Sequence, residues 1–281
     1  MPSIQAPNFS LAHTLECGQA FRWHKQPDGS YYGVIENELY KLWQGGDTIN
    51  YEASSGKNRE SELRNYLGLG IDYDYIINSI SKDGAINSAI SKCYGLRIAN
   101  QDPYECLISY MLSANNSIPN ITRAIENLSK EFGEPLELNG NVAYTFPTPA
   151  QLEGVTEKRF RETKMGFRAI AVKQAVDKIN SREFNLASLV QSPFDGAKKA
   201  LMGLYGVGEK IADCVLLFSM GHSNAFPVDT WIRKAVQQHY LSADATDDDI
   251  REFGMRYFGD YAGYAQEFLF FSQRSGSGIS K

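Results

Sequence analysis

The chain has 281 residues, 43% hydrophobic and 22% charged, the balance of a soluble globular protein with a core sized for one large domain or two to three small ones. No apolar run approaches the roughly 20 residues that span a bilayer, and Met1 to His13 lack the basic flank and apolar centre of a signal peptide. An intracellular protein is expected, cytoplasmic or nucleoid-associated, or nuclear if eukaryotic. The net charge of −5 counts against nucleic-acid binding, which usually shows as a basic surplus, although DNA feels only the face it meets.

Residues 1–85 read as an antiparallel β domain with one wet face. Tyr31 to Ile35 and Glu38 to Trp43 are aromatic and β-branched, with turn signals at Pro27-Asp28-Gly29-Ser30 and Gly45-Gly46-Asp47. Residues 86–281 read as mostly helical, which makes the fold class α+β. Asp102-Pro103-Tyr104-Glu105 has the form of an N-cap, a proline at the first helical position and a capping-box acid. Apolar residues follow at helical spacing through Leu107, Ile108, Met111 and Leu112, then Ile121, Ile125, Leu128 and Phe132. Thr148-Pro149 and Thr156 open two short helices, and Arg168 to Ile179 supports another. Helices over 195–203, 209–220, 230–241, 247–258 and 261–273 complete the set, with Gly221 and Gly259 at C-cap positions. The Gly/Ser-rich end, Ser275 to Lys281, is expected to fray.

Cys17, Cys93, Cys106 and Cys214 are scattered, so neither a zinc nor an iron–sulfur site is expected, and no cofactor is required. A structural disulfide is not expected in the cytosol either.

The densest chemistry lies in Leu201 to Cys214. One helix ends near Gly203 and the next begins near Gly208, joined by the turn Gly206-Val207-Gly208. Glycines there let backbone amides at a helix N-terminus approach a phosphate, with no lysine or arginine needed. The same turn also fits a plain helix–helix connection. Lys210 follows on the first helical turn, and Phe226-Pro227-Val228-Asp229 ends in an acid placed to cap the next helix. Lys210 can be a solvated surface lysine, and Asp229 can be an N-cap only or an N-cap and a functional acid together. The pair has a defined chemistry. An uncharged amine attacking C1′ of a deoxyribose expels the base and leaves a Schiff base, while a nearby carboxylate stabilises the positive charge that builds on the sugar. The iminium acidifies the C2′ hydrogen, which permits β-elimination of the 3′ phosphate. Partial burial and the helix N-terminus both favour the neutral amine.

This block resembles the helix–hairpin–helix DNA glycosylase superfamily, in which the hairpin, the lysine and the Pro-Val-Asp segment occur in this order. The resemblance makes Lys210 the nucleophile and Asp229, 19 residues later, its carboxylate partner. It also implies two helical subdomains flanking an active-site cleft. Within the superfamily the chain is most similar to the 8-oxoguanine DNA glycosylases, nearly end to end. Cys17-Gly18-Gln19-Ala20-Phe21-Arg22-Trp23 resembles the segment whose glycine carbonyl accepts from N7–H of the oxidised base, a hydrogen that guanine lacks. Leaving such an acceptor unpaired costs about 1–3 kcal/mol. Tyr264 to Phe270 resembles the helix whose glutamine, here Gln266, reads the Watson–Crick edge and whose phenylalanine, here Phe270, stacks on the flipped base. Cys214 and Pro227 complete the implied base-binding set, although Cys214 and Phe270 also suit ordinary core packing and Gln266 a polar surface.

Asn115 and Asn116 resemble the loop that fills the vacated stack, and Phe167 with Arg168 the wedge against the orphaned cytosine. Gly206, Val207 and Gly208 are the implied phosphate contacts, and the carbonyls of Met202, Leu204 and Val207 the implied holders of a monovalent or divalent cation. The implied partner is damaged double-stranded DNA, bound by a monomer, with no membrane. Departures from the family pattern are Asn120 in place of an arginine that contacts the opposite cytosine, Trp231 in place of a phosphate-contacting histidine, and Tyr205 in place of the hairpin proline. A glycosylase for another damaged base and a non-catalytic DNA-binding module are the two competing readings.

Overall fold

A computed structural model describes residues 2–276. Its main sheet contains β1 (Ser3–Gln5), β2 (Trp23–Lys25), β3 (Tyr31–Ile35), β4 (Glu38–Gly45) and β5 (Thr48–Ala53), in the order β1-β5-β4-β3-β2. Every pairing is antiparallel, and two of the three hairpins turn where the sequence marks them, while the third, β3 to β4, turns at Glu36-Asn37. The inward face carries Tyr31, Tyr40, Leu42, Ile49 and Tyr51, closed by Leu11 and Leu15 of α1 (Leu11–Glu16) and by Leu63 and Tyr66 of α2 (Glu60–Tyr66). The strand texture therefore ends at Ala53 rather than near 85. α2 and α3 (Tyr73–Ile80) follow it, and Ile76 and Ile80 pack with the C-terminal helices instead of with the sheet.

The opposite sheet face is not simply wet. Tyr32, Val34 and Leu39 are covered by Leu136, Leu138 and Ala143 of a second hairpin, β6 (Pro135–Leu138) and β7 (Asn141–Tyr144). Asn139 and Gly140 form its turn at φ 53° and 76°, the positive-φ pair that a tight Asn-Gly hairpin requires.

The remaining helices are α4 (Gly84–Lys92), α5 (Pro103–Met111), α6 (Ile118–Phe132), α7 (Glu157–Phe160), α8 (Ala169–Asn180), α9 (Leu186–Leu189), α10 (Phe194–Met202), α11 (Glu209–Ser219), α12 (Thr230–His239), α13 (Asp247–Phe258) and α14 (Ala262–Gly276). They form two apolar cores. One gathers α5, α6, α8, α10 and α11, and the other α3, α4, α12, α13 and α14. Ser275 and Gly276, expected to fray, continue α14, and the rest of that tail lies outside the described residues. Among the described residues no helix is long and apolar enough to cross a membrane.

Asp102 caps α5, accepting from the Tyr104 and Glu105 N–H groups at 3.0 and 2.8 Å. Glu105, however, does not close the capping box. Its carboxylate pairs with the buried Arg22 guanidinium at 3.2 Å, a charge-assisted bond that a backbone N–H at the helix start cannot match. The reciprocal box forms instead on α13, between Thr246 and Asp249.

A buried ion cluster locks the hairpin helices to α13. Asp213, fully buried on α11, receives Lys198 of α10 at 2.8 Å and Arg251 of α13 at 2.7 Å. Burial pushes its carboxyl up, and the two cations pull it back. Removing one member of such a cluster leaves buried charge uncompensated. Asp213→Ala should lower unfolding free energy by about 3 kcal/mol, seen as a lower urea midpoint at unchanged slope.

Candidate active site

The Gly18 segment is held by its neighbours rather than by regular structure. Gln19, 1% exposed, donates through Nε2 to the carbonyls of Thr14 (2.9 Å) and Arg97 (2.8 Å), and its Oε1 accepts from Ala99 N–H at 2.8 Å. Its own carbonyl accepts from Gln101 Nε2 at 2.8 Å and from the Tyr110 hydroxyl at 3.0 Å. Arg22 adds the tie to Glu105 and another to the Tyr144 carbonyl, while Trp23 packs flat over Gly33 and donates to the Tyr66 hydroxyl at 2.9 Å. Between these anchors Gly18 sits at φ +103°, and a Cβ there would fall on the Arg274 guanidinium and on Ile118. Only glycine fits both the torsion and the space.

The hairpin joins α10 to α11. Gly203 is the C-cap of α10 and Gly208 the N-cap of α11, and no side chain caps the α11 amides. Gly206 needs its freedom, with φ +82° and the Ala171 methyl 2.8 Å from where a Cβ would lie. Gly208 has an ordinary extended backbone and open space around it. Tyr205, in the proline position, points outward and is 60% exposed. Of the carbonyls implied to hold a cation, that of Leu204 already accepts Val207 N–H at 3.1 Å, closing the turn on itself. No described contact of Met202 or Val207 marks an ion site, and the chemistry below uses none. Among the described residues no three His, Cys, Asp or Glu side chains converge to hold a metal ion.

Lys210 is half-buried on the first turn of α11. Its Nζ donates to Ser113 Oγ at 2.9 Å and lies 5.2 Å from the Tyr110 ring centroid. Tyr110 thus touches both halves of the site, since its hydroxyl binds the Gln19 carbonyl beside Gly18. Asp229 is the N-cap of α12, where Oδ1 accepts from Trp231 and Ile232 N–H, each at 2.9 Å. Cys214 is buried one turn beyond Lys210, and burial drives its thiol up to about 12. The Lys210 charge pulls that value down, and the charges of Asp213, Asp229 and Glu267 push it up. Cys214 itself stays protonated, a wall rather than a nucleophile.

α14 carries the next two expected residues. Gln266 is 4% exposed and its Oε1 has no hydrogen-bond partner, while Phe270, one turn on, is half-buried. Pro227 is buried two residues before Asp229, and Phe226 stacks on Phe258 at 6.4 Å to seat that segment.

The expected wedge and loop form one unit. Arg168 donates to the Ala114 carbonyl at 2.7 Å and to the Asn115 carbonyl at 2.6 Å, tying 165–168 to the Asn115-Asn116 turn. Asn115 is exposed at φ 48°, Asn116 is turned inward to the Leu112 carbonyl at 3.0 Å, and Phe167 is 60% exposed under the Arg168 guanidinium. Asn120 is exposed on the first turn of α6, beside that loop.

Sequence reasoning missed Ser113, the acceptor for Lys210, and Glu267. The latter is 2% exposed, and burial raises it to about 7, with the Cys17 thiol and Arg274 pulling it down and Asp229 pushing it further up. A single acid inside the apolar run Tyr264 to Phe271 was its only signal.

Two family models divide the chain. One, described as 8-oxoguanine DNA glycosylase, N-terminal domain, matches residues 3–107, and the other, HhH-GPD superfamily base excision DNA repair protein, matches residues 108–259. The N-glycosylase/DNA lyase OGG1 of Arabidopsis thaliana is 31% identical over 94% of this chain and 77% of its own length. The solved structure of the Clostridium acetobutylicum 8-oxoguanine glycosylase/lyase, in complex with double-stranded DNA containing cytosine opposite to 8-oxoG, is 37% identical with a TM-score of 0.93, covering 96% of this chain and 93% of that one. MBOgg1, solved in complex with a low affinity DNA ligand, is 38% identical with a TM-score of 0.93, covering 98% and 96%. Matched by both models and by these relatives along nearly its whole length, the chain belongs to the 8-oxoguanine DNA glycosylases of the HhH-GPD superfamily of base excision DNA repair proteins.

Proposed function

We propose that this chain, acting as a monomer on duplex DNA inside the cell, excises 8-oxoguanine and then cleaves the strand by β-elimination. The observation that carries this reading is the chain of contacts from Lys210 to the Gly18 segment, in which Nζ is held by Ser113 Oγ at 2.9 Å and lies 5.2 Å from the Tyr110 ring, whose hydroxyl binds the Gln19 carbonyl next to Gly18. Lys210 Nζ, parked on Ser113, attacks C1′ of the everted nucleoside as the base leaves with the glycosidic electron pair. Asp229 has Oδ1 committed to two backbone N–H groups, so its carboxylate is oriented for the positive charge on the sugar. The Schiff base then loses its C2′ proton and expels the 3′ phosphate.

Recognition follows from unpaired groups. Gln266 Oε1 is a buried acceptor, and the Watson–Crick edge of a guanine-type base presents N1–H and N2–H donors to fill it. The Gly18 carbonyl takes the N7–H that only the oxidised base carries. Phe270 and the neutral Cys214 thiol flank the ring. The uncapped amides of α11 and the exposed Gly206 and Gly208 suit a backbone phosphate despite the acidic total charge.

Borohydride reduction in the presence of an 8-oxoguanine duplex should trap a covalent complex with the wild type and none with Lys210→Gln. A wild type that binds the duplex but never traps would leave only a DNA-binding module. Asp229→Asn keeps an N-cap of equal quality, so its melting temperature should hold while single-turnover excision falls about 100-fold or more. The short polar Asn120 on the α6 first turn supplies no bidentate donor to an opposite cytosine. Excision rates opposite cytosine, adenine, guanine and thymine should accordingly lie within about tenfold of one another, the span that loss of one bidentate contact erases.

A further inference from the structure

The C-terminal turn of α14 reaches back across the molecule to the start of the chain. Arg274 Nη2 donates to the Glu16 carbonyl at 2.6 Å, at the C-terminal end of α1, where a cation is favoured by the helix dipole. Its Nη1 rests against the Gly18 α-carbon, at the spot a side chain on residue 18 would need. The guanidinium also lies 5.2 Å from the Phe270 ring centroid and 5.6 Å from that of Phe271. One planar group therefore spans the gap between the two elements assigned above to lesion reading, Gly18 and Phe270. Residues 266, 270 and 274 recur every four positions along α14, so Gln266, Phe270 and Arg274 share a broad helix face.

We infer that Arg274 is a positioning residue for lesion recognition, holding the Gly18 carbonyl and the Phe270 ring at the separation the oxidised base requires. This rests on the reading of Gly18 and Phe270 given under Proposed function. No regular secondary structure holds Gly18 itself. From α14, the Arg274 guanidinium braces the turn at the Glu16 carbonyl and beside the Gly18 α-carbon. Ile118 Cδ1 lies 3.0 Å from the spot a Cβ on residue 18 would take. Without the guanidinium the turn keeps its Gln19 staples but loses its contact with the stacking wall. Lysine keeps a cation at the α1 terminus but lacks the planar fork that bridges carbonyl and ring.

The test uses Arg274→Met and Arg274→Lys in the full chain, with two substrates of one duplex sequence. One carries 8-oxoguanine and reports base excision, and the other carries a preformed abasic site and reports strand cleavage through Lys210 without any base to recognise. Arg274→Met retains an apolar stem on the two phenylalanines and should lower single-turnover excision by about tenfold or more, with abasic-site cleavage within about twofold of wild type. Arg274→Lys should recover a part of the excision rate. Equal losses on both substrates would reduce Arg274 to a helix cap that acts through stability alone, and unchanged excision in Arg274→Met would also overturn the inference. A wild type inactive on both substrates would instead bring down the function on which it rests.

Discussion

Lys210 is placed by a charge it never touches. Asp213, three residues on along α11 and fully buried, holds Lys198 and Arg251, and so binds α10, α11 and α13 into one block. A carboxylate with no water around it tolerates little displacement, because each cation that drifts away exposes the full desolvation cost. The hairpin between α10 and α11 inherits that rigidity, and so does the first turn of α11, which carries Lys210. Specific geometry at a reacting amine needs support of this kind, since a side chain with four rotatable bonds cannot position itself.

The second half of the site is rigid for a different reason. Gly18 lies in a segment without regular hydrogen-bonded structure, and its order comes from Gln19, whose amide and carbonyl make five bonds to separate parts of the chain. Three of those partners, Arg97, Ala99 and Gln101, lie in the segment leading to α5. Tyr110 of α5 then carries the coupling to Lys210, binding Gln19 through its hydroxyl and facing Nζ with its ring. The element proposed to read the lesion and the proposed nucleophile thus share one aromatic side chain. Ser113, a residue of the loop after α5, accepts from the Lys210 Nζ at 2.9 Å. Replacing that single hydrogen bond costs little beside the contacts a bound nucleoside gains.

The acidic total charge is consistent with this architecture. Many of the acids are engaged locally, as in the Asp247 to Asp249 start of α13 and the pairs Glu60–Arg64 and Glu157–Arg161. The surface proposed to meet DNA relies on helix-end amides, the exposed asparagine turn and Arg168, none of which needs a basic surplus. Net charge describes the far field of a molecule, and a phosphate held at a helix N-terminus feels the near field.

Residue order alone determined the features that local backbone chemistry controls. The turns at Pro27 to Ser30 and Gly45 to Asp47, the caps at Asp102, Thr156 and Asp229, and the hairpin from Gly203 to Gly208 each follow from torsional preference and short-range hydrogen bonding. The Asn139-Gly140 turn had the same kind of signal, though it went unread among the helical patterns around it. Partner choice across long separations was decided only by the tertiary structure. Glu105 abandons its capping box for Arg22, 83 residues earlier, Lys210 meets Ser113 across 97 residues, and Arg274 reaches Glu16 across 258. All three contacts are partly buried, and the strength of such a polar pair depends on burial that no local window of sequence contains.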